Sequence, residues 1–192
     1  MNLKTALTAC ALGVGLFLLG RVSAEDEMEG GGGEMPAWTV LGPEHEELAK
    51  SAGDWDVAGK MWMTPGAEPM EFAATAKREM VLNGRYMREI FKAQFGPDPF
   101  EGWLLQGYDT FRKEWVHIWM DCSNPVLSIS RGQVKEGVCT MTGDDPDMMT
   151  GKIAQVRTVV SHDGPDKATM TMYSNADGPE RMAMQMLYTR KK

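Results

Sequence analysis

The chain has 192 residues, 43% of them hydrophobic, and a formal net charge of −7. That length suits one domain with a sizeable core. The acidic balance disfavours nucleic acid and anionic membrane surfaces as partners, because it forfeits attraction to phosphate.

Residues 1–24 read as an export signal. Lys4 supplies a positive start, Ala6 to Gly20 an apolar run, and Val22-Ser23-Ala24 a small-residue cleavage site before Glu25. The run is shorter than the roughly 20 residues a membrane span needs, so no stable span is expected after cleavage. Lipidation at Cys10 is the rival, but too little apolar chain precedes that cysteine. Cleavage removes Lys4 and Arg21 and no acids, leaving a mature charge of about −9 and a periplasmic or extracellular destination. Residues 25–42 are acidic and glycine-rich, Gly30 to Gly33 above all, and predict a flexible tether.

The barrel domain is expected over 43–192. Pro43 opens a short helix to Ala52, with acids in its first turn and Lys50 in its last. Leu48 and Ala49 are expected to pack on the sheet. Gly53-Asp54-Trp55 then opens the first of about ten strands: 54–62, 70–81, 85–95, 102–108, 114–121, 126–131, 137–142, 153–161, 168–174 and 180–190. Asn83-Gly84 signals a two-residue hairpin. Asn124-Pro125, Asp163-Gly164-Pro165 and Asp177-Gly178-Pro179 separate later strands. Links this short require antiparallel neighbours, and closure removes the edges that an open sheet would expose. The predicted fold is all-β: an antiparallel up-and-down barrel with a short N-terminal helix.

Alternation assigns faces. In 180–190, Met182, Met184, Met186 and Tyr188 oppose Arg181, Gln185 and Thr189. In 168–174, Met170 and Met172 oppose Thr169 and Thr171. Strand 114–121 is ambiguous, since Val116, Ile118 and Met120 oppose Trp115, His117 and Trp119, and both sets suit burial.

Pro43-Glu44-His45, Leu48 and Gly53-Asp54-Trp55, then Leu82-Asn83-Gly84-Arg85, resemble the bacterial domain-of-unknown-function family numbered 1579. Gly102, Gly107-Tyr108-Asp109 and Trp119 are similar to that family's central signature. Asp145-Pro146, Gly151-Lys152 and Tyr188-Thr189-Arg190-Lys191 complete the match, which spans about residues 43 to 191. The family has no established activity, so the resemblance implies a fold and little chemistry. The Gly-x-Trp start is also similar to lipocalins and their calycin relatives. That likeness implies a structural cation–π contact between Trp55 and Arg190 and an internal apolar pocket, though fold alone does not give function.

Candidate chemistry is sparse. His117, between two indoles, is the best single ligand contact, against a plain histidine satisfied by a neighbouring strand. No second histidine or cysteine lies at metal-ligand spacing. The Met-x-Met runs superficially resemble Cu(I) sites but fit an apolar lining equally well. Asp144, Asp145 and Asp147 read as a solvated loop lacking the Ca²⁺ template, and Asp54 and Asp56 as outward-facing. No nucleophile–base pair or phosphate loop is present, so catalytic and metal residues are assigned to none and any cofactor is unknown. Cys122 and Cys139, two strands apart along the meander, are expected not to pair.

The leading expectation is a barrel that binds a small apolar or amphipathic molecule. Its candidate lining is His117, Trp119, Trp115, Trp103, Trp62, Phe91 and Met184, with the inward face of several strands open. The alternative is a non-enzymatic scaffold acting through its outer surface in protein association; an enzyme is the least supported reading. An open apolar interior favours the binder and a filled one the scaffold. A buried polar pair with perturbed ionisation would bring back an enzyme. Oligomeric state is not legible.

Overall fold

A computed structural model describes residues 35–147, 150–176 and 178–192. The leader expected over 1–24, the tether up to Glu34 and Asp177 of the last predicted turn lie outside the described residues. Ala37–Thr39 form a 3₁₀ turn whose Trp38 ring meets Phe111 edge-on at 6.1 Å.

Among the described residues one α-helix, α1 (Pro43–Lys50), precedes ten strands. These are β1 (Gly53–Met61), β2 (Met70–Val81), β3 (Tyr86–Phe95), β4 (Asp98–Asp109), β5 (Glu114–Asp121), β6 (Asn124–Lys135), β7 (Val138–Pro146), β8 (Ile153–His162), β9 (Lys167–Ser174) and β10 (Arg181–Arg190). Each pairs antiparallel with its sequence neighbours, and β10 returns to β1, closing an up-and-down barrel. β4, β6 and β7 run several residues longer than their turn signals suggested. Asp144 and Asp145, expected in a loop, therefore lie inside β7.

Two turns differ from expectation. The β2–β3 connection spans four residues, 82–85, because Val81 pairs with Tyr86. Leu82, Asn83 and Gly84 all take left-handed backbone angles, so Asn83-Gly84 is part of a longer turn. α1 ends at Lys50, and the residues it buries are His45 and Leu48; Ala49 is exposed. A helix presents i and i+3 on one side, which pairs 45 with 48 and rotates 49 away.

α1 plugs one end of the barrel. Leu48 packs with Met87, Trp115 and Met141 into a core cluster. Trp55 anchors a second cluster with Val57, Ala76, Phe91, Met186 and Tyr188. The Trp55 indole N–H donates to the Ser51 carbonyl at 3.1 Å, tying the helix exit to the first strand. Gly53 is required there. Its φ is +134°, and a Cβ would lie 2.6 Å from Arg190 Nη1.

Candidate functional site

Alternation along each strand sends every second side chain inward, and the inward set leaves space. A cavity of about 1160 Å³ occupies the lumen. Its walls are mainly aromatic and aliphatic. Phe72, Phe95, Phe100, Phe91 and Trp119 form a chain of edge-to-face rings with centroids 5.1 to 6.2 Å apart. Opposite them Met170, Met172, Met184 and Met186 line β9 and β10, with Met172 across from Met184 and Met170 across from Met186. Gly102 makes room for the indole, since a Cβ there would meet the Trp119 ring at 2.3 Å.

β5, ambiguous from its pattern, turns Trp115, His117 and Trp119 to the lumen. Trp62, Phe91 and Met184 line it as well, so six of the seven expected contacts share one cavity. Trp103 does not. Gly102 and Leu104 take the inward positions on β4, and Trp103 stands outside at 41% exposure. There it donates to Glu101 Oε1 at 2.8 Å and lies under the Arg88 guanidinium, whose carbon is 5.6 Å from its ring centroid.

β10 needs a second correction. The β9–β10 register shifts between Met182 and Met184, a β-bulge. The bulge reverses alternation, so Arg181 and Ala183 line the lumen with Met184, while Met182 pairs with Tyr173 and is absent from the lining. Asp54 and Asp56 are exposed, and Asp56 pairs with Lys191 at 3.0 Å. Cys139 lines the lumen, its thiol pushed up to about 11 by burial; Cys122 is exposed, and both are free thiols.

The cavity also holds a polar centre, Arg78, Glu89 and Tyr188, that the sequence reading does not assign. Arg78 Nε lies 2.5 Å from Glu89 Oε2, with the two side chains 11% and 2% exposed. Tyr188 donates its hydroxyl to Glu89 Oε1 at 3.5 Å. The Arg78 guanidinium carbon lies 4.5 Å from the Tyr188 ring centroid and 5.1 Å from that of Trp55. Burial disfavours the Arg78 charge, but Glu89 outweighs it and holds the guanidinium's pKa above its ordinary value. Burial, then Glu89, raises the Tyr188 phenol. The signal was available: 78 and 89 both fall on the apolar parity of adjacent strands, and the hairpin between them sets them face to face.

Burial, assisted by Arg78, pushes His117 down to about 4. Its Nε2 is sealed from solvent with no hydrogen-bond partner. With its pKa that low the ring is uncharged at neutral pH, and Nε2 faces the lumen as a hydrogen-bonding group. The Arg78–Glu89 pair and the Tyr188 phenol are thus buried polar groups inside the cavity, and Arg78 and Tyr188 carry perturbed ionisation. Near the end away from α1, burial opposes the Asp121 charge, but hydrogen bonds from Ser123 and Trp119 outweigh it and lower its pKa. Asp145 Oδ1 is buried there without a partner. Among the described residues no cluster of His, Cys, Asp and Glu is placed to hold a metal, and no helix is long and apolar enough to cross a membrane.

Two solved structures share this shape. Rv2717c from M. tuberculosis superposes with a TM-score of 0.59 at 16% identity, covering 80% of this chain and 100% of its own. The S-type phycobiliprotein lyase CPES from Guillardia theta superposes at 0.55 and 11% identity, covering 78% and 93%. Identities this low carry the fold alone. A comparison with curated proteins gives no match. The family model for proteins of unknown function numbered DUF1579 matches residues 41–190, from two residues before α1 to the end of β10, and the chain belongs to that family.

Proposed function

We propose that this protein is exported and holds one small apolar or amphipathic molecule in its barrel. The observation that carries this reading is the lumen itself. About 1160 Å³ stays open between aromatic and methionine walls, with a few polar groups at fixed positions. Ligand pockets run roughly 300–1,000 Å³ and combine apolar lining with sparse orienting groups. Methionines adapt to a ligand's shape, and the aromatic rings supply contact area. Export rests on the leader in the sequence.

Native mass spectrometry of the protein purified from its own host is the test. A retained non-covalent mass, or uptake of one equivalent of N-phenyl-1-naphthylamine, is the expected result. A bare chain that takes up no apolar probe would instead favour action through the outer wall. That wall carries an apolar stripe. Leu105, Ile118 and Ile129 are adjacent across β4, β5 and β6, and Ile129 and Leu127 are 46% and 58% exposed.

A further inference from the structure

We propose that Glu89 is a specificity-determining residue that makes the lumen select uncharged ligands and reject carboxylates and other anions. This rests on the lumen-binding reading.

A carboxylate taken into an apolar barrel loses its hydration, and only a free cation or several donors offset that loss. Arg78 is the one permanent cation at the polar centre, and its guanidinium would be the obvious anchor. Glu89 occupies it at 2.5 Å, and Tyr188 donates to the same carboxylate. The anion that Arg78 calls for is thus built into the protein. The other cations on the lining are also engaged. Lys50 pairs with Glu47 at 2.5 Å and Arg190 with Asp166 at 3.1 Å, and Arg181 donates to the Trp62 carbonyl at 3.2 Å.

The field points the same way. Five carboxylates line the cavity (Glu47, Glu89, Asp121, Asp145 and Asp147) against four permanent cations (Lys50, Arg78, Arg181 and Arg190). An anion in the lumen meets no unpaired positive charge at the polar centre. An alcohol, amine-free aromatic or carbonyl compound brings no charge to desolvate.

The test is competition for N-phenyl-1-naphthylamine by two ligands of one chain length, 1-dodecanol and dodecanoate. Wild type is expected to prefer dodecanol at least tenfold. In Glu89→Gln, Arg78 is released and that preference falls at least tenfold. In Arg78→Gln/Glu89→Gln, with the cation gone, the preference returns. A wild type that binds the naphthylamine without preferring dodecanol overturns the filter and leaves lumen binding standing. So does a folded Glu89→Gln variant with unchanged preference, or a double variant that has lost it. If Glu89→Gln fails to fold, the wild-type ratio and the double variant still decide. A wild type that does not bind the naphthylamine overturns the lumen reading itself.

Discussion

The Arg190 guanidinium lies over the Trp55 ring, its carbon 4.3 Å from the ring centroid, where the last strand meets the first. The same guanidinium donates to the Ala52 carbonyl at 2.5 Å, to that of Lys50 at 2.7 Å and to that of Pro165 at 3.1 Å. One side chain therefore binds the helix exit, the β8–β9 turn and the seam of the barrel. Trp55→Ala should lower unfolding free energy by roughly 3–5 kcal/mol, the range for a large core aromatic. Arg190→Met, which keeps the stem and removes the cation, should cost about 1–3 kcal/mol. Urea titrations check both, and an unchanged midpoint in Trp55→Ala would show the indole is not packed.

His117 should give stability a pH dependence. Its folded pKa, about 4, lies below the ordinary 6.5, because burial and then Arg78 oppose its charge. The unfolded chain therefore binds the proton more readily. The stabilising contribution is complete above pH 6.5 and is lost as pH falls to 4, amounting to about 3 kcal/mol. His162, also lowered by burial, adds in the same direction. Replacing His117 by Gln should flatten the slope between pH 6.5 and 4 without abolishing it. Equal slopes in the two proteins would mean that His117 is solvated.

Trp119 and Trp103 should behave oppositely. Trp119 lines the cavity, so Trp119→Ala should weaken binding of N-phenyl-1-naphthylamine several-fold, whereas Trp103→Ala, altered only on the outer wall, should leave it unchanged. Gly102→Ala puts a methyl group where the Trp119 ring lies, and should cost about 1–3 kcal/mol while shifting indole fluorescence. Probe affinity that follows Trp103 would place the site on the outer surface.

The leader predicts a mature N-terminus near Glu25 in exported material. Edman sequencing or intact mass of that material should show the loss of residues 1–24. A chain that still starts at Met1, or one carrying lipid on Cys10, would overturn the export reading.

The number and direction of the strands were legible because turn chemistry and period-two alternation are local. Asp163-Gly164-Pro165 breaks a strand wherever it stands, and Met170 and Met172 share a face by geometry alone. The Trp55–Arg190 contact came from the resemblance, which placed the two residues at the closing seam. Inside and outside were another matter. Both faces of 114–121 are apolar, so only closure of the barrel decides that His117 and Trp119 look inward. Trp103 looked like lining because it is large and aromatic, yet its parity is set by Gly102 giving way to the Trp119 ring. The bulge before Met184 is a one-residue offset between two strands, and an offset exists only once the partner strand is in place. Whether the lumen is filled or open depends on the combined volume of side chains from all ten strands, which no single stretch of sequence contains.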